Sequence, residues 1–433
     1  LSSHSFIIGV VLAVALVLTV TENRAGADTG AESLHDGGLS LEKTDNNVND
    51  LYEHFSKEEV ERGREYRSTK YLIFFIRTCV TLLFLYLAVR IQAIQWVAGI
   101  LPVSVADSRW LSAALYAVIF ATALFLITLP INLYSGYFHE HAFGLSTRTL
   151  PSWFVDAGKY LLLQVLIAFI IFAGLYLLMG AFPNRWWVVS AVLFSLFTVG
   201  LTALSPLVID PMFNKFSPLE DEDLKNEIVV MSKNAGIEVD MVYQMDASRR
   251  TRKLNAYFTG LGGTKRVVLY DTLLSKGDRA EILMVVAHEL GHWKRDHLLK
   301  GLLLASLGTF VVVFMISRIL SSPLVRSCGI AYFDDPAGVP VVLLIVMLLG
   351  FLSMPLQNVI SRHYEKQADM DSLVFTDDPD TFIRVEEKIG KINLNDVDPQ
   401  LWAKWLLFTH PPTMERIRMG KVFRRNQIEN SVE

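Results

Sequence analysis

The segment EILMVVAHELGHWKRDH, residues 281–297, carries the most specific chemistry in the sequence. His288 and His292 are four residues apart, so a helix places both imidazoles on one face, one turn apart. Two neutral ring nitrogens at that spacing reach a single Zn²⁺ at about 2.0–2.1 Å. Glu289 projects beside that face, where it can take a proton from an activated water without ligating the ion. Gly291 leaves room for substrate or for a neighbouring element. The chemistry expected of this group is metal-assisted hydrolysis, with Glu289 as general base returning its proton to a leaving amine.

A catalytic zinc takes three protein ligands and keeps one position open. The best third ligand is Glu365 in SRHYEKQADMDS, where Asp369 follows four residues later on the same helical face. One of the two can bind metal while the other orients a ligand imidazole. By spacing alone the pair fits a solvated helix face equally well. His410 and Arg416, in THPPTMER, offer an imidazole donor and a cation of the kind a developing oxyanion needs. Taken alone, His410 also reads as a surface or capping residue. His139, His141, His297 and His363 have no comparable partner in the pattern and read as structural. Cys79 and Cys328 make no disulfide framework and carry no assigned role.

The elements that must position these residues are predominantly apolar. Of 433 residues 52% are hydrophobic and 19% charged, below the quarter typical of soluble domains, which points to lipid-facing surface. The net charge of −4 gives no basic excess for nucleic acid. Long apolar runs lie at about 71–89, 110–133, 160–182, 187–209, 301–320 and 339–359, each near the 20 or so residues needed to span a bilayer. Buried core helices of a large soluble protein are the alternative, and six such runs argue against it.

A further run at 6–20 is short and is preceded by no Lys or Arg; Arg24 follows it. This fits a reverse anchor better than a cleaved signal. Residues 21–50 read as a polar linker. Lys57, Arg62, Arg64, Arg67 and Lys70 precede the run at 71, whereas the next loop holds only Arg90 and Arg109. The positive-inside rule then places 57–70 in the cytoplasm, together with 134–159, 210–300 and 361–433. Val239–Tyr243 and Arg266–Tyr270 read as short strands, with Gly260, Gly262 and Gly263 as a turn between them, and helix resumes at Arg279.

The expected organisation has five parts. An anchor or signal run plus linker covers 1–50, membrane helices 51–209, and a catalytic segment 210–300. Further membrane helices cover 301–360, and a C-terminal catalytic segment 361–433. The fold class is mainly α: a multi-span membrane helical barrel with an inserted zinc metallopeptidase domain containing a small β-sheet.

Several blocks together resemble the CAAX prenyl protease family, membrane zinc endopeptidases that trim isoprenylated C-terminal peptides. These are LPINLYSGYFHEHAFG, DPMFNKFSPL, LNAYFTGLGGTKRVVLYDTLL, AHELGHWKRDH, NVISRHYEKQAD and THPPTMER, spread from about residue 51 to 420. The resemblance implies a helical barrel of about seven spans around a water-filled chamber, with the zinc domain on the cytoplasmic side. His288 and His292 match the paired zinc ligands, Glu289 the general base, Glu365 the third ligand and Asp369 the acidic residue after it. Asn255 and Tyr257 match an edge segment expected to align the substrate main chain by strand addition. His410 and Arg416 match the pair expected to stabilise the tetrahedral intermediate.

The run at 6–20 and its linker depart from the family's first span, and the loop at about 321–338 carries no family motif. The expected partners are a peptide or protein substrate, prenylated if the family's habit holds, and the lipid bilayer. The expected location is a bacterial inner membrane, since the N-terminal extension looks more bacterial than eukaryotic, or the endoplasmic reticulum. Two rivals share parts of this pattern: a general membrane quality-control peptidase, and a non-enzymatic scaffold with a structural metal. Glu289 argues against the scaffold, because a structural metal site has no use for a base.

Overall fold

The structure, a computed structural model, describes residues 49–432 except 100, 101, 103, 104, 106, 238, 240 and 261–264. The apolar run at 6–20, the linker up to residue 48, and Gly262 and Gly263 lie outside the described residues.

Each of the six apolar runs at 71–359 becomes a helix long and apolar enough to cross a membrane. α1 (Lys57–Arg90) opens with a capping box in which Ser56 and Glu59 each satisfy the other's backbone N–H. α2 (Arg109–Leu133) and α4 (Trp186–Leu204) each run into a π-helical turn, Tyr134–Phe138 and Ser205–Ile209. Both turns lie at the end of the bundle that meets the polar segments. α3 (Leu150–Ala181) packs between them. About seven spans follow from the resemblance; six are present among the described residues.

The two ends of the bundle differ. At one end Tyr176 donates to the Asp335 carbonyl at 3.0 Å, and Arg109 pairs with Asp334. At the other end Glu140 accepts from Lys70 of α1 at 2.6 Å, from Lys253 at 2.9 Å and from the Tyr66 hydroxyl at 2.6 Å. One carboxylate thus ties two membrane helices to the segment that leads into the sheet. Asp156 of α3 binds Arg250 at 3.1 Å, and Arg67 reaches the Leu394 carbonyl at 3.1 Å. The polar stretches 134–159, 210–300 and 361–433 therefore gather at one end of the bundle.

Between α4 and the motif helix lie β1 (Phe216–Pro218), α5 (Glu222–Asn234), β2 (Met241–Met245), β3 (Ala256–Thr259) and β4 (Arg266–Tyr270). The sheet order is β1-β2-β4-β3, with β2 and β4 parallel and the outer pairs antiparallel. β4 has the expected bounds. β2 starts two residues later than the Val239 expected from composition, because its ladder with β4 pairs Met241 with Arg266. Gly260 turns with φ +100°.

α6 (Arg279–Lys294) begins where helical periodicity resumes, under a capping box of Asp278 and Glu281. Its Ile282, Val286 and Leu290 pack on the sheet core with Phe258, Val267 and Leu269. α7 (His297–Leu320) and α8 (Val339–Thr376) follow, and α8 runs unbroken through residue 360. α9 (Pro379–Ile392), α10 (Leu401–Leu407) and α11 (Thr413–Val432) complete the chain.

Candidate active site

α6 and α8 cross at a point where α6 has no room for a side chain. A Cβ on Gly291 would lie 2.9 Å from both the Cα and the carbonyl oxygen of Ala368. Just beyond the crossing, the Arg295 guanidinium grips Asp371, with one contact at 2.9 Å. This close approach brings Glu365 of α8 onto the histidine face of α6.

His288 Nε2 and His292 Nε2 stand 3.2 Å apart, and Glu365 Oε2 is 3.2 Å from the first and 3.6 Å from the second. Three atoms at the corners of a tetrahedron with 2.0–2.1 Å arms are separated by about 3.3 Å, so this spacing fits one small metal ion. The donor set is two nitrogens and one oxygen, and Glu365 Oε2 is buried with no hydrogen-bond partner. Buried polar atoms are seldom left in that state. A second acidic group, Asp50, Glu53 and His54, offers a poor contrast. Lys421 binds Asp50 and Glu53 at 2.8 Å each, and Arg418 binds Asp50 at 2.8 Å, so protein cations already balance it.

Around the three convergent atoms the remaining candidates fall into place by geometry. His288 Nδ1 lies 2.7 Å from Asp369 Oδ1. Arg416 donates from Nε to Asp369 Oδ2 at 2.8 Å, and its Nη1 lies 2.8 Å from Glu386 Oε2. Its guanidinium is thus held by two carboxylates. His410 Nε2 is 3.4 Å from Glu365 Oε1. Glu289 accepts from the Phe258 backbone N–H at 3.3 Å. His139 and His141 bond backbone carbonyls within the bundle, as structural residues do.

The sheet edge needs a finer reading. The Tyr270 N–H donates to the Asn255 carbonyl, so alternation makes Tyr257 and Thr259 the next residues bonded to β4. The outward-facing backbone groups belong to Ala256 and Phe258. The Tyr257 ring packs against Met245 and Val268 and is directed away from α6, whose side is taken by Phe258. Asn255 Nδ2 is buried without a partner.

Electrostatics follow from this crowding. Burial lifts the Glu289 carboxyl above its ordinary pKa, and the Glu365 charge adds to that, against the pull of the two histidines. Burial disfavours a charge on His288, but Asp369 and Glu365 outweigh it and push its pKa up to about 10. The same two carboxylates favour any cation on that ring, proton or metal. Burial drives Glu386 up to about 7, with Asp369 and Glu365 acting in the same direction against the pull of Arg416 and His288. Burial holds His410 near 4, with Arg416 and the motif histidines acting in the same direction.

Two nearby residues escaped the sequence pattern. Glu386 sits on α9 with no motif around it. His297, read as structural, has a partner after all: its Nδ1 is 3.0 Å from His292 Nδ1. Its place five residues after His292 was the available signal.

The model of peptidase family M48 matches residues 218–420, and that of the CAAX prenyl protease N-terminal region, described as five membrane helices, matches residues 40–215. An uncharacterised metalloprotease of Bacillus subtilis, YhfN, is 30% identical over 373 residues, covering 83% of this chain and 85% of that protein. The chain belongs to the CAAX prenyl protease family of M48 peptidases. CAAX prenyl protease 1 of Saccharomyces cerevisiae is 32% identical over 314 residues, 67% of this chain and 68% of the yeast protein. The crystal structure of Saccharomyces mikatae Ste24p matches with a TM-score of 0.76 at 22% identity, covering 97% of this chain and 99% of that one, a likeness of fold. As an M48 peptidase with six apolar spanning helices, the protein is an integral, multi-pass membrane metallopeptidase.

Proposed function

We propose that the protein is a zinc-dependent endopeptidase whose ion is held by His288, His292 and Glu365, with Glu289 as general base. The observation that carries this reading is the approach of the three ligand atoms to 3.2–3.6 Å, with Glu365 Oε2 left without a hydrogen bond. Zinc, when bound, supplies Lewis-acid polarisation of the scissile carbonyl and activation of water.

The chain's own residues do the rest. Glu289 takes a proton from the attacking water and delivers it to the departing amine nitrogen, so the proton gained equals the proton returned. The Phe258 N–H steadies the carboxylate at 3.3 Å and fixes which oxygen faces the reaction. The outward N–H and C=O of Ala256 hold an extended peptide as a further strand. Asn255, with an unpartnered Nδ2, offers one more donor to that peptide. His410, neutral at physiological pH, donates to the oxyanion; Arg416 acts through Asp369, holding the carboxylate that orients His288.

The active site lies on the cytoplasmic side, because the cation-rich segments and the site share one end of the bundle. The substrate is a prenylated CAAX-type C-terminal peptide, as the name of the yeast relative suggests. The test is cleavage by the zinc-loaded protein in vesicles of a farnesylated CAAX peptide against its unmodified twin. Preference for the farnesylated form is expected. Equal cleavage of both, together with cleavage of unfolded membrane proteins, identifies a quality-control peptidase instead. No zinc in the purified protein overturns the metal assignment.

A further inference from the structure

The two histidines of the motif are oriented by unlike means. His288 is held by a carboxylate, Asp369, at 2.7 Å. His292 Nδ1 lies 3.0 Å from Nδ1 of another imidazole, His297, and His297 is buried. We infer that His297 is a positioning residue that fixes the tautomer and ring angle of His292 through an uncharged hydrogen-bond relay ending at His363.

The proton positions follow one from another. His292 Nε2 faces His288 Nε2 at 3.2 Å and Glu365 Oε2 at 3.6 Å, so as a ligand atom it must present a lone pair. The ring's single proton then sits on Nδ1. That proton is donated to His297 Nδ1, which leaves the proton of His297 on its own Nε2. There it meets Gln367 Oε1 at 2.9 Å, an oxygen that can only accept. The Gln367 amide nitrogen in turn faces His363 Nε2 at 3.1 Å and donates to it. His297 and Gln367 each accept once and donate once, so the relay runs in one direction from the donor His292 to the acceptor His363. The reverse arrangement, with the amide turned over, ends with a proton on His292 Nε2 aimed straight at His288 Nε2.

Packing makes the relay rigid. The His297 ring stacks on Tyr364 with centroids 4.3 Å apart and planes 14° apart. His297 is also the first residue of α7, so a membrane-spanning helix anchors it. A neutral orienter suits the place. Glu289, Glu365, Asp369 and Glu386 already crowd one buried pocket with Arg416, and a further carboxylate would add charge without a counter-ion.

The inference rests on the zinc reading above, and the experiment separates the two. The full-length protein is purified in detergent as wild type, His297→Asn, His297→Phe and Gln367→Met. Asn places an acceptor oxygen where Nδ1 stands; Phe keeps the ring and the Tyr364 stack but accepts nothing. Zinc affinity is measured by chelator competition, the cobalt-substituted forms by visible spectrum, and the metal-free forms by melting temperature. Loss of an orienting partner of this kind commonly costs 10–100-fold in metal affinity. The expected result is a loss in that range and an altered cobalt spectrum for Phe, a few-fold loss for Asn, and similar metal-free melting temperatures. Wild-type affinity in the Phe variant overturns the inference, and so does an Asn variant as weak as Phe, which would make the ring's packing the cause. Should neither His297 variant fold, Gln367→Met decides: a several-fold loss supports the relay and unchanged affinity overturns it. A wild type that binds no zinc at all sinks the parent reading instead.

Discussion

Gly291 of α6 and Ala368 of α8 meet backbone to backbone, and a methyl group on Gly291 would stand 2.9 Å from the Ala368 Cα. That contact sets the separation of the two helices at the level where Glu365 reaches the histidines. Gly291→Ala must therefore push α8 outward. Overpacking of this kind typically costs about 1–3 kcal/mol. The expected outcome is a lower melting temperature with weakened zinc retention and activity, read by thermal unfolding and metal analysis. Full zinc retention would show that the crossing has slack.

Glu289→Gln keeps size and hydrogen bonding but removes the base. General acid–base groups contribute typically 10²–10⁴-fold, so kcat should fall by about that factor while zinc content stays at the wild-type level. Because burial raises the Glu289 pKa above 4.5, its basic form grows only as pH climbs past that raised value. In the metal-free protein the Glu289 carboxyl should accordingly titrate above 4.5, read by infrared difference spectroscopy against Glu289→Gln. A titration at or below that value contradicts the effect of burial.

Glu386 gives a stability signature. Its folded pKa of about 7 exceeds the ordinary 4.5, so between those values the native state binds more protons than the unfolded chain. Stability then falls as pH rises from about 4.5 to 7 on account of this group. Glu386→Gln should flatten that part of the melting-temperature profile. An unchanged profile would assign the slope to other groups.

Ala256→Pro removes one outward N–H at the sheet edge. Since that N–H makes no ladder bond, the strand tolerates proline there. One hydrogen bond is worth about 0.5–1.5 kcal/mol, so kcat/KM for an extended peptide should fall up to about tenfold with the melting temperature little changed. Unaltered kcat/KM would remove Ala256 from substrate binding.

The sequence was most readable where one helix encodes its own geometry. The i, i+4 spacing of His288 and His292, and that of Glu365 and Asp369, survives intact in α6 and α8. The apolar runs reappear as spanning helices because length and composition alone define them. β1 and β3 escaped periodicity: β1 has three residues and ends in proline, and all four residues of β3 are buried, which erases alternation. Glu386 was invisible for a different reason. Its role depends on Arg416, 30 positions away on another helix, and no local pattern records such a meeting. The direction of the Tyr257 ring depends on ladder register, which composition does not encode.

α8 is a single helix of 38 residues, about 57 Å long, whose first half is lipid-spanning and whose second half bears Glu365 and Asp369. The hydrocarbon layer is only about 30 Å thick, so the rod protrudes well beyond it. A membrane too thin for its apolar half is accommodated by tilting such a rod. Glu365 and Asp369 thus ride on the same unbroken helix that meets the lipid.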